Sequence, residues 1–190
     1  MDLLMGVFTA FGLSASAGLN AYIPLLIVGV IAHYTDWIAL NTPWDVLANP
    51  WVLIVLGILV LIEMLADKIP AVNHINDAIQ TFIRPAAGAI AFAASANVIT
   101  NVSPVLSLIC GLLVAGSVHV VKSAVVRPVV TATTGGAGNV PVSIAEDILA
   151  SLMSILAIVV PIMVAVILIL MVTLFLRWRQ RRREKADQHI

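Results

Sequence analysis

A transmembrane helix uses about 20 consecutive apolar residues, and four segments of this 190-residue chain reach that length. The first runs from Leu3 to Ile31, too long for one simple crossing, and carries Ser14, Ser16, Gly18, Asn20 and Pro24 in its middle, so it is tilted or broken there. The second opens at Asn49-Pro50, an N-cap residue followed by proline at the first helical position, and continues to about Ile69. The third opens in the same way at Ser103-Pro104 and reaches about Val126. The fourth follows Ser143-Ile144-Ala145-Glu146, a capping-box pattern, and extends to Leu176 with a kink at Pro161. With 61% hydrophobic residues, 11% charged residues and a mean hydropathy of +1.08, the chain is predicted to be an integral membrane protein, an all-α polytopic helix bundle.

Two further apolar pieces, Pro85 to Ile99 and Pro128 to Pro141, each follow an Arg-Pro pair and are rich in small residues. They are read as short re-entrant or broken segments, so the expected architecture is four spanning helices plus two dips. The chain start lacks a basic n-region and its apolar run is too long for a signal peptide, so it reads as retained. Six lysines and arginines crowd between Arg177 and Lys185, which places a basic tail, 177–190, on the cytoplasmic side of a single membrane domain, 1–176. The stretch from His33 to Asn49 has no lysine or arginine and, with Trp51, supplies an aromatic belt, so it belongs outside and both termini inside. The tail is short and poor in aromatics, which argues against a nucleic-acid partner. Cys110, the single cysteine, is expected to pack.

A weak duplication aligns Gly57-Ile58-Leu59-Val60 with Gly111-Leu112-Leu113-Val114 and Lys68 with Lys122; the Arg84-Pro85 and Arg127-Pro128 pairs then correspond, and Asn97 falls on Asn139. The units, 50–99 and 104–141, would enter from opposite faces as an inverted repeat of the kind many carriers use. Helix N-termini at Pro85 and Pro128 would then direct unpaired N–H groups toward a polar interior suited to an anion.

Lys68, Arg84, Lys122 and Arg127 lie in or against apolar segments, where a central charge costs about 2.5–3.5 kcal/mol on insertion scales. They are the candidate anion-binding residues. Glu63, about 20 Å along the second span, Asp67 one turn later, and His119 are the proton-coupling candidates; simple neutralisation of a basic neighbour is the competing role for Glu63. Asn20 and Asn139 are candidate cavity-lining residues. Asn73 to Ile83, with Ile75, Ile79, Phe82 and Ile83 on one face, is expected to lie along the cytoplasmic interface. Glu146 and Asp147 read as helix N-terminal carboxylates without a functional role. The histidines are scattered without ligand spacing, so no metal is expected, and no cofactor.

The chain resembles the bacterial membrane proteins grouped as domain of unknown function 4126. The likeness rests on Gly18 through Pro24, on Glu63 with Ala66-Asp67-Lys68-Ile69-Pro70, on Asp77 through Thr81-Phe82-Ile83-Arg84-Pro85, and on His119, Lys122, Asn139, Ser143 and Glu146-Asp147. It implies a multi-pass protein of a bacterial plasma membrane and carries no activity with it.

Two functions stay open on the sequence. The first is a small proton-coupled transporter or flippase-like carrier of an anionic, phosphate- or carboxylate-bearing molecule or lipid headgroup, with the bilayer and a second copy as partners. The second is a non-transporting membrane scaffold or assembly factor whose buried charges are structural ion pairs. No nucleophile–base pair stands out, so an enzyme is not expected.

Overall fold

A computed structural model of the protein describes residues 2–96 and 103–160. The basic tail and the expected kink at Pro161 lie outside them. The elements are α1 (Asp2–Leu19), α2 (Tyr22–Tyr34), a 3-10 turn (Trp44–Ala48), α3 (Pro50–Ala66), α4 (Pro70–Ala96), α5 (Pro104–Val121), a π turn (Lys122–Val126) and α6 (Arg127–Thr134). A last helix, α7, covers Asn139–Val160. No strand occurs among the described residues.

The overlong first segment breaks at Asn20–Ala21. Asn20 carries the sequence signal: its Oδ1 accepts from the N–H groups of Tyr22 and Ile23, both at 3.2 Å, and so caps α2 while ending α1. The chain also reverses there. Contacts of Thr9 with Ala157 and of Ser16 with Ala150 run α1 antiparallel to α7, whereas Ser14 against Gly111 and Gly18 against Ala115 run it parallel to α5. From the same point α2 runs antiparallel to α3, with Ala21 at Glu63 and Gly29 at Leu53. Leu25 and Val28 of α2 share one apolar cluster with Leu13 and Ala17 of α1. Thus α1 and α2 form a helical hairpin whose tip is buried, and the head of α1 lies at the same end of the bundle as the tryptophan-bearing loop before α3. This differs from the expected topology, which put a full crossing between them.

Neither expected dip begins as a helix of its own, and residues 97–99 of the first lie outside the described residues. Pro85 sits inside the 27-residue α4, so the expected interfacial helix and the first dip are one helix. Ile75, Ile79 and Phe82 of its first half face outward and Ile83 packs against the core. Pro128 likewise has no free helix N-terminus, because α5, the π turn and α6 form one 31-residue run, Pro104–Thr134. The units 50–99 and 104–141 therefore fold differently, one as two helices and one as a continuous rod, and the inverted repeat has no support among the described residues. Gly135 and Gly136, at φ 64° and 91°, end the rod in the left-handed region that glycine adopts without strain. α7 then starts at Asn139, so Ser143 and Glu146 lie a turn or more inside it and the expected capping box does not form.

Small residues bring α1, α4 and α5 together. Pro85 lies against Gly116 and Phe92 against Gly111, which sets α4 antiparallel to α5, and a side chain at Gly88 or Gly111 would collide with the facing helix. Cys110 is half-buried beside Ala10 and Phe92, in keeping with a packing role. The outer surface is apolar instead of polar: Trp51 is 77% exposed, Phe82 80% and Leu61 61%. Pro104–Thr134 and Asn139–Val160 are long and apolar enough to cross a membrane, yet only 22% and 33% of their most apolar windows are buried. A core helix of a water-soluble bundle has the reverse pattern, since apolar surface of this extent is unfavourable in water.

Gly88→Val and Gly111→Val are expected to lower the thermal midpoint in detergent, each by the equivalent of about 1–3 kcal/mol of overpacking. Gly57→Ala meets nothing within 4 Å and is expected to raise stability slightly, by about 0.5–1 kcal/mol, through helix propensity alone. Equal effects at all three positions would contradict the close packing described.

Candidate functional site

Between Asp45 and Arg177 the sequence holds nine Asp, Glu, Lys or Arg residues, and the fold gathers all nine in one place. The anchor is Asp67, at the C-terminus of α3. Its Oδ2 receives Arg127 at 2.9 Å, Lys122 at 3.3 Å and Arg84 at 3.4 Å, while Asn76 donates to its Oδ1 at 2.7 Å. Three cations converge on one carboxylate oxygen.

The π turn makes that convergence possible. Lys122 and Arg127 are five residues apart, which on a regular helix at 100° per residue would place them about 140° apart. The wider i→i+5 turn swings both toward α3. Beyond Asp67, Lys122 meets Glu146 of α7 at 2.8 Å, and Arg127 meets Asp77 of α4 at 2.8 Å and Glu146 at 3.7 Å. Lys68 closes the far side on Asp147 at 3.3 Å.

Glu63, one turn before Asp67, accepts from Arg84 Nε at 3.1 Å and Nη2 at 2.9 Å. It also receives the Ala21 N–H at 3.0 Å. The N-terminus of α2 thus presents N–H groups and the positive end of its dipole to an anion, the arrangement expected at Pro85 and Pro128 but supplied by the hairpin tip. The other arm of the tip contributes too, since the Leu19 carbonyl, at the C-terminus of α1, accepts from Lys122 at 3.0 Å. Asn20 joins tip to cluster through Asp147, at 3.0 Å.

His119 lies on the far side of Arg84, with Nδ1 3.3 Å from Arg84 Nη1 and Nε2 3.1 Å from Thr81 Oγ1. A guanidinium can only donate, so Nδ1 accepts and the ring proton resides on Nε2. The Thr81 hydroxyl in turn donates a hydrogen bond to the Asp77 backbone carbonyl at 2.8 Å. His119 therefore orients Arg84 as a neutral ring.

Of the residues singled out in the sequence, Lys68, Arg84, Lys122, Arg127, Glu63, Asp67, His119 and Asn20 come together here. Asn139 does not: its amide pairs with Thr131 across the glycine turn, at 2.9 Å. Asp77, Glu146 and Asp147 were not foreseen as members. The signal for them was present in the sequence, because four bases in or against apolar segments need about as many acids, and these three were the carboxylates left over between Asp45 and Arg177. Burial is near complete: side-chain exposure is 0% for Arg84, 1% for Glu63, 2% for Asp67 and 3% for Lys122, against 27% for Lys68. No group of three or more metal-ligating side chains in position to hold an ion occurs among the described residues.

The fold and site define a helical bundle with outward-facing apolar helices and an ion-pair cluster at the tip of a broken helix. The family model described as Domain of unknown function (DUF4126) matches residues 7–181, and the chain belongs to that family. No curated protein and no solved structure matched it.

Removing one member of a buried pair leaves the other charge stranded, so Arg84→Met is expected to cost about 3–5 kcal/mol. Lys68→Met, at the open edge, should cost clearly less. Pairing Arg84→Met with Glu63→Leu should recover part of the loss, measurable as a positive coupling in thermal unfolding of the detergent-solubilised protein.

Proposed function

We propose that the protein is an integral membrane carrier that couples proton movement to the passage of an anionic, phosphate- or carboxylate-bearing substrate. The observation that carries this reading is the convergence of Arg84, Lys122 and Arg127 on Asp67 Oδ2. Two arginines and a lysine around one oxygen make an anion site, and the chain's own carboxylate fills it. A proton delivered to Asp67 would remove the charge that holds the three bases, an incoming anion would take its place, and loss of the proton on the other side would expel the anion. Glu63 keeps Arg84 and the hairpin tip in register during the exchange. Broken helices whose ends point at ion sites are a recurrent carrier device, and α1–α2 has that form.

The energetics favour a working cluster over a purely structural one. Nine charges among apolar helices are a poor route to stability, since buried ion pairs can often be replaced by apolar residues at no loss, and ionisable groups at membrane depth concentrate on transport pathways. The scaffold reading has one observation in its favour: every base of the cluster already has a carboxylate within 4 Å.

The test is uptake by proteoliposomes across a panel of phosphate monoesters and carboxylates, with and without an imposed pH gradient. Wild type is expected to show saturable uptake driven by external acid. Asp67→Asn, a permanent mimic of the protonated state, is expected to exchange anions without response to the gradient. Absence of saturable uptake by a correctly folded wild type would remove the carrier and leave the scaffold.

A further inference from the structure

On the outer side of the cluster a groove of about 390 Å³ runs between α2, α3 and α7. Ile23, Leu26, Ile27, Val60, Ile148 and Leu152 give it an apolar wall. Among the described residues it opens outward, where the bundle presents its apolar surface. Its inner end is different. Met64 and Asp147 line it there, and both are held by Lys68, whose ammonium donates to the Met64 carbonyl at 2.9 Å and to Asp147 Oδ2 at 3.3 Å. Lys68 is 27% exposed, whereas the other three bases of the cluster are 0–8% exposed. The most exposed base of the cluster thus stands beside the groove, bonded to two of the residues that line it.

An isolated apolar groove on a membrane helix fits any acyl chain and selects none. A cation beside it adds charge complementarity, and Asp147 need not be stranded when Lys68 turns to a ligand, because the Asn20 amide donates to its other oxygen at 3.0 Å. We propose that this groove binds a single-chain anionic lipid, with the hydrocarbon chain against Ile23, Ile27, Val60 and Leu152 and the phosphate on Lys68. This rests on the carrier reading for its consequence, namely that the substrate enters sideways from the bilayer and not from water, but the binding itself does not depend on transport. From Lys68 the headgroup has a direct neighbour in Asp147 and, through Asn20, the hairpin tip that holds Glu63.

The experiment measures binding and flux separately on the purified full-length chain. Binding of a fluorescent acyl-glycerol phosphate is followed in nanodiscs of zwitterionic lipid, with glycerol phosphate and an uncharged acyl glycerol as competitors. Val60→Trp and Ser151→Phe fill the groove, and Lys68→Gln removes its cation. Each is expected to weaken binding roughly tenfold or more, the scale of one charge-assisted hydrogen bond or of a blocked apolar site. Lys68→Arg should retain binding, and competition is expected from neither the soluble phosphate nor the uncharged lipid. Competition by glycerol phosphate alone, or binding untouched by the groove-filling variants that remain folded, overturns the proposal even if the protein carries anions. Binding as expected with no movement of the lipid in proteoliposomes keeps the site and overturns the sideways entry of substrate, while the carrier reading stands or falls on the uptake panel.

Discussion

Neutralising charge in a chain with almost no water-facing interior is the constraint on which this structure depends. Five carboxylates and four bases lie in segments whose surroundings are apolar, and each alone would be prohibitive there. Collecting them at one point lets every charge find an opposite, and the helices must be placed so that this happens. Asp67 ends α3, Arg84 stands at mid-length of α4, the π turn delivers Lys122 and Arg127, and α7 contributes Glu146 and Asp147. Small residues do the complementary work away from the charges, where Gly88 and Gly111 allow α4 and α5 to approach. Packing sets the distance between helices and the charges set their register.

Much of the site was legible in the sequence because charge is scarce. When only nine Asp, Glu, Lys or Arg residues occur across some 130 mostly apolar residues, each is conspicuous, and Glu63, Asp67, Arg84, Lys122 and Arg127 declare themselves by position. Glu146 and Asp147 were hidden by a local pattern: Ser143-x-x-Glu146 has the form of a capping box, and only the glycine turn at 135–138, which starts the helix earlier, shows that both lie inside it. Asp77 was obscured by the amphipathic look of its neighbours.

The fold was less legible than the site, for two physical reasons. Proline after arginine suggests a helix start, but proline is also tolerated inside a helix that neighbours hold together, and α4 is such a case at Pro85. The break at Asn20 was visible, whereas the reversal of direction was not. A capping asparagine states that one helix ends and another begins; the angle between them is decided by Glu63, Lys122 and Asp147, from 42 to 127 residues away in the chain.

That separation also bears on how the protein comes to exist in its folded form. The hairpin tip is satisfied by groups that a ribosome reaches much later: the Leu19 carbonyl waits for Lys122 and Asn20 for Asp147. Chains emerge from the N-terminus onward, so the first 34 residues are made well before the acids and bases that seat their tip. Burying Asn20 early would leave its amide without the Asp147 carboxylate it pairs with. The earliest-synthesised hairpin can therefore complete the contacts of its tip only once α5 and α7 have been made.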